Sequence, residues 1–182
     1  MKVMMDACVL YPTVMREVLI GCAAEGLFQP RWSPRILEEW ARATRKLGPE
    51  AEVFARGEIA ILSAQFPQSS VAVVHGSETQ FWLPDPDDIH VLASAVAGGC
   101  DFILTSNDKD FPRDILAEHE VFRANPDTFA LRLHDEAPDV VQSVAARVLK
   151  QANAISDRPW TIRALMKKAR MPRFGKRLEA AE

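Results

Sequence analysis

The sequence has no apolar run near the ~20 residues that a membrane-spanning helix needs, and no internal repeat or low-complexity segment. Cysteine is scarce. Cys8, Cys22 and Cys100 are odd in number, and their spacing fits neither a disulfide framework nor a zinc site. They read as free buried thiols of a reducing cytoplasm. A strong charge of one sign is also missing: the net charge is −3 with a pI of about 5.8. The chain as a whole therefore does not announce a nucleic-acid binder. The acid Asp6 arrives too early for a signal peptide, so none is expected.

What is present suits an ordinary globular protein. At 182 residues, 48% hydrophobic and 26% charged, the chain can form one domain with a proper core and a tail. The charge is unevenly placed. From Asp157 to Glu182 eight Lys/Arg stand against three acids, which makes that segment +5 and leaves −8 for the rest. We expect a domain over 1–155 and a basic C-terminal helix and tail over 156–182, mobile from Met171.

Short apolar runs alternate with helical patterns. Lys2–Met5, Val71–His75 and Phe102–Leu104 read as strands, with Val121–Arg123 as an edge strand. Helices are expected at about Pro12–Glu25, from Ser33-Pro34 to Gly48, at Glu50–Phe66, from Asp88 to Gly98, at Arg113–Glu118, Thr128–Asp135 and Asp139–Ala152, and at Pro159–Ala169. The strands show little polar alternation, as when both faces are buried. The class is α/β with a mostly parallel sheet.

The stretch Asp85–Phe111, DPDDIHVLASAVAGGCDFILTSNDKDF, concentrates the chemistry. Asp88 opens a helix, while Asn107, Asp108 and Asp110 follow a strand. Asp6 follows the first strand. Ligands of open α/β sheets bind at such strand exits. If the strands are parallel neighbours, the acids converge and raise one another's pKa. A hard divalent cation in an all-oxygen site relieves that repulsion. Each acid alone also serves as a helix cap or turn residue.

Four segments carry a family resemblance: VMMDACVLYP, SPRILEEWAR, DPDDIHVLASAVAGGCDFILTSNDKDFP and NPDTFALRL. Together they span about Lys2–Leu133, and in this order and spacing they resemble the PIN-domain family of metal-dependent ribonucleases, particularly VapC-type toxins of toxin–antitoxin pairs. The resemblance implies a three-layer α/β/α sandwich with a sheet of four to five strands. It implies catalytic acids at Asp6, Glu39, Asp88 and Asp110, and Mg²⁺ or Mn²⁺ held by Asp6, Asp88, Asp110 and Asn107. Glu39 is preferred to Glu38 because it lies six residues after Ser33, and the two glutamates point about 100° apart on a helix. Many family members carry Asp where this chain has Asn107, so the charge falls to Asp110, with Asp108 as the alternate. Ser33, Thr105 and Ser106 are candidates for orienting a carboxylate or a water. His90 reads as a surface or supporting residue.

The resemblance further implies an RNA substrate, a cognate antitoxin protein, a homodimer and a cytoplasmic location. Arg158, Arg163, Lys167, Lys168 and Arg170 are candidates for the RNA backbone, or else belong to a solvated, fraying C-terminal helix. Phe174 is a candidate for stacking on unpaired bases, and Trp160 either stacks or, in the favoured reading, packs the helix down. An RNA-binding or regulatory module without turnover is the alternative, because Asn107 weakens the site. A receiver domain phosphorylated on aspartate is discounted, because Asp6 stands alone after the first strand.

Overall fold

The computed structural model describes residues 1–72 and 76–180. The chain divides into two compact units, Met1–Tyr11 with Gln29–Ala124, and Pro12–Phe28 with Asn125–Glu182.

The first unit contains a four-stranded, all-parallel sheet in the order β2-β1-β3-β4. The strands are β1 (Lys2–Met5), β2 (Gln29–Arg31), β3 (Phe102–Leu104) and β4 (Phe122–Ala124). Val3, Met4, Met5, Ile103 and Leu104 are fully buried, which is why β1 and β3 read as unbroken apolar runs. β2 was not anticipated. Its sequence, Gln-Pro-Arg, lacks an apolar pattern, and Pro30 is tolerated because β2 is an edge strand. The strand expected at Val71–His75 lies partly outside the described residues. Of its first two residues, Val71 donates its backbone N–H to Trp32 over 2.8 Å beside an isolated parallel bridge, and neither belongs to a strand.

The connection from β1 leads to one side of the sheet and that from β3 to the other. The C-terminal ends of β1 and β3 therefore form the switch point where ligands bind in such sheets. The helices of this unit are α1 (Ala7–Leu10), α3 (Pro34–Ala43), α4 (Pro49–Gln65), α5 (Ile89–Ala97) and α6 (Arg113–Ala117). α5 packs against β1 and β3. It ends at Gly98, and Gly99 adopts φ +58, a left-handed turn that returns the chain into β3. α4 runs through Gly57 without a break and buries Ala55 and Leu62, while its Val53, Phe54 and Ile61 face solvent.

The second unit is helical: α2 (Thr13–Ala24), α7 (Pro126–Glu136), α8 (Pro138–Ala154), α9 (Ile162–Lys168) and α10 (Pro172–Glu179). The segment from Met171 is not a mobile tail. Met171 and Phe174 are fully buried, Leu178 nearly so, and they form the inner face of α10. Asp127, on α7, accepts the backbone N–H groups of Arg173 (3.1 Å) and Phe174 (2.8 Å), two donors that every helix start leaves unpaired. A Cβ on Gly175 would stand 2.8 Å from Cβ of Met166, so glycine permits the close approach of α9 and α10. Burial of Phe174 removes it as a stacking platform for bases. The apolar periodicity of α10 is short and diluted by five charged or proline residues, which hid it from a reading by composition.

No helix among the described residues is long and apolar enough to cross a membrane.

Candidate metal centre

The parallel register Met5↔Leu104 brings Asp6 and Thr105 side by side just beyond the paired strands. Asp6 donates its backbone N–H to the Leu104 carbonyl (3.1 Å), and Thr105 donates its own to the Ala124 carbonyl (3.1 Å). Both side chains are buried. Oδ2 of Asp6 accepts the Thr105 hydroxyl over 2.6 Å and the Cys8 thiol over 3.0 Å. Burial, reinforced by the negative charge of Asp6, pushes the Cys8 thiol up to about 12. It therefore serves Asp6 as a donor. Cys8 is half-buried rather than fully buried, and its sulfur accepts the N–H of Ser106 (3.3 Å). The Ser106 side chain itself is exposed.

Asp88 is placed by a short 3-10 turn, Pro86–Asp88, that leads into α5. Asp85 starts this turn and accepts the Asp87 N–H on Oδ1 over 2.9 Å. Carboxylate oxygens of Asp85, Asp88 and Asp110 lie within 4.8 Å of one another. Asp85 opens the stretch singled out in the sequence but was not among its candidate ligands. Its signal was its position three residues before Asp88 across a proline turn, a spacing that returns two side chains to one side.

The crowding has an electrostatic cost. The Asp88 carboxyl is pushed up from 3.8 to about 6, first by partial burial and then by the charges of Asp6, Asp85 and Asp110. Asn107 answers part of that cost. Its amide donates to Oδ2 of Asp88 over 3.1 Å, and Thr105 Oγ1 fixes its backbone N–H at 3.0 Å. A donor set of carboxylate oxygens, with mutual repulsion to relieve, fits a hard divalent cation.

The other candidates lie elsewhere. Asp108 pairs with Arg123 at 3.3 Å, and Arg123 also donates to the backbone carbonyls of Asp108 and Phe111. Asp108 is thereby held outside the acidic group. Ser33 is the N-cap of α3, accepting the Ile36 N–H over 3.3 Å. Glu38 turns away to Arg42 (2.7 Å) and Arg56 (2.9 Å), whose hydrogen bonds hold its carboxyl down at about 2. Glu39 points to a different neighbour: its Oε1 lies 2.9 Å from Nε2 of His90 and 3.3 Å from Nε of Arg35. His90 is not a surface residue; it is 2% exposed. Its place at the start of an apolar helix, between Ile89 and Val91, was the available sign of burial.

In the second unit Arg158, Lys167, Lys168 and Arg170 are exposed, while Arg163 pairs with Glu179 at 2.7 Å. Trp160 is half-buried, anchored by its N–H to Asn153 (2.6 Å), with the Lys168 ammonium 4.6 Å from its ring centre.

The family model for the PIN domain matches residues 2–109, more than half of the chain. Among curated proteins, the provisionally named ribonuclease VapC50 of Mycobacterium tuberculosis is 34% identical over 79 residues. That match covers 43% of this chain and 45% of the relative, so the chain spans less than half the length of the curated protein it matches. No solved structure matches the chain significantly.

Proposed function

The chain belongs to the PIN-domain family, and from that premise we propose that it is a metal-dependent ribonuclease that hydrolyses RNA phosphodiester bonds. The observation that carries this reading is the convergence of Asp85, Asp88 and Asp110 at the β1/β3 switch point, with Asp6 close enough to raise the Asp88 pKa. Asp6, Asp88 and Asp110, aided by the amide oxygen of Asn107, are the residues to hold Mg²⁺ or Mn²⁺. When bound, the cation lowers the pKa of an attacking water and offsets charge building on the phosphate. The protein's own groups prepare for this. Thr105 and Cys8 both donate to Oδ2 of Asp6, which holds that carboxylate in one orientation. Asp85 stiffens the turn that presents Asp88.

The RNA backbone is assigned to the exposed cations Arg158, Lys167, Lys168 and Arg170, with Arg163 available on release from Glu179. In this reading residues 1–155 perform the chemistry and 156–182 supply the positive charge that the acidic remainder lacks. The similarity to a VapC-type ribonuclease supports the further proposal of a toxin restrained by a cognate antitoxin; a cytoplasmic location and a homodimer are part of that proposal.

One observation favours a second reading, an RNA-binding or regulatory module without turnover: the Asn107 amide occupies a carboxylate oxygen of Asp88 that a cation would use. Cleavage of single-stranded RNA by the purified protein separates the two. Turnover with Mn²⁺ or Mg²⁺ that stops with chelator, and is lost in Asp6→Asn and Asp88→Asn, is expected of the nuclease. Chelator-insensitive cleavage, or full activity in either variant at saturating metal, overturns it.

A further inference from the structure

We propose that His90 is a positioning residue that holds Glu39 beside the turn presenting Asp88, where it supports the metal centre, an inference that rests on the metal-dependent reading above. His90 occupies the first turn of α5, two residues after Asp88, and its ring is 2% exposed. Burying an imidazole is unfavourable unless its polar atoms are paired. Here one of the two is: Nε2 lies 2.9 Å from Oε1 of Glu39, whereas Nδ1 has no hydrogen-bond partner among the described residues. The contact to Glu39 is therefore the polar interaction that orients the buried ring. Since a carboxylate oxygen accepts, Nε2 carries the hydrogen and donates it.

The contact joins two elements that the sequence separates by fifty residues. Glu39 projects from α3, and His90 follows the turn that presents Asp88. Arg35 reinforces the junction from the α3 side: Nε reaches Glu39 Oε1 at 3.3 Å and one terminal nitrogen reaches the Asp87 carbonyl at 3.4 Å. Both donors fall on Oε1, so one oxygen of the Glu39 carboxylate carries both contacts. Glu39 is not within the close group of Asp85, Asp88 and Asp110. Its place relative to that group is set by these two donors. Arg35 is a flexible, half-exposed side chain that also pairs with Glu78 at 3.6 Å. The buried, short imidazole is the rigid donor of the two. Removing such a supporting hydrogen bond typically weakens metal binding about 10-fold or more.

The test is Mn²⁺ binding to the full chain by calorimetry, with the metal-free melting temperature recorded for each variant. His90→Leu is expected to bind Mn²⁺ about 10-fold more weakly. His90→Gln, whose amide nitrogen reaches the position of Nε2, is expected to restore most of that loss, and the shorter His90→Asn to restore little. The double variant His90→Leu/Glu39→Gln should bind no more weakly than Glu39→Gln alone, because both changes interrupt one interaction. Should His90→Leu melt too low to measure, the contrast between His90→Gln and His90→Asn carries the test. Unchanged affinity in His90→Leu, equal affinities for Gln and Asn, or losses that simply add in the double variant would each overturn the proposal while leaving the metal centre intact. Failure of the wild-type chain to bind Mn²⁺ would sink the metal reading itself, and this inference with it.

Discussion

The side-chain amide of Asn107 donates to the Asp88 carboxylate over 3.1 Å. A neutral donor thus stands beside Asp88, the acid whose pKa burial and crowding raise, and steadies it. Replacing it should expose the repulsion it now offsets. Asn107→Asp is expected to destabilise the metal-free protein by about 1–2 kcal/mol, from one lost hydrogen bond to a charged group and one added like charge. Mn²⁺ should reverse the effect and shift the cleavage curve to lower metal. Melting with and without Mn²⁺ checks this; a variant equally destabilised at all metal concentrations contradicts it.

Asp88 makes the metal-free protein sensitive to pH. Its folded pKa of about 6 exceeds the usual 3.8, so between those values the folded state holds a proton that the unfolded state has lost. The stability Asp88 contributes is therefore present below its unfolded value and lost as pH rises through 6. Denaturation in chelator at pH 5 and pH 7.5 should show a difference on the order of 1 kcal/mol, once solvent screening at a half-exposed carboxyl is allowed for. Asp88→Asn should remove that difference and be the more stable protein at pH 7.5.

Asp108 and Asp110 should separate cleanly. Arg123 holds Asp108 by its side chain and its carbonyl, whereas Asp110 stands within the acidic group. Asp110→Asn is expected to cut RNA cleavage at least ~100-fold, the order seen when one group that stabilises developing charge is removed. Asp108→Asn should stay near wild type. The reverse ranking in a cleavage assay would mean that the loop Thr105–Phe111 rearranges when metal binds.

Glu38→Gln and Glu39→Gln make a similar pair one residue apart. Glu38 is engaged by Arg42 and Arg56, away from α5, and Glu39 by His90. Cleavage should fall in the second variant and hold in the first. Equal losses would show that α3 turns in the complex with RNA.

Removal of the basic segment should damage the fold as well as RNA binding. Ile162, Leu165, Met166, Phe174 and Leu178 are all buried, and Asp127 caps α10. Truncation before Asp157 is expected to lower the melting temperature. Asp127→Ala, which leaves two helix donors without an acceptor, should cost about 1–3 kcal/mol by itself. A truncated chain that melts like the full one would show that α9 and α10 contribute nothing to stability.

Local chemistry made much of this legible in the sequence. β1 and β3 are unbroken apolar runs because parallel strands are buried on both faces, and the acid directly after β1 and the polar cluster after β3 mark the exit where a ligand can sit. Ser33-Pro34 announced α3 through capping alone. What depended on neighbours distant in the chain was not legible. β2 has no pattern of its own and exists because β1 offers it an edge. Asp85 joins Asp88 and Asp110 only through the geometry of a proline turn. His90 and Glu39 meet because the fold brings side chains of α3 to the start of α5, and Asp108 is drawn off by Arg123 from β4. The last helix looked like a solvated basic tail because its charges outnumber its apolar residues, yet three well-placed apolar side chains and one distant aspartate suffice to fold it down. Burial and pairing are properties of the folded neighbourhood, and composition records them only where the neighbours are also near in sequence.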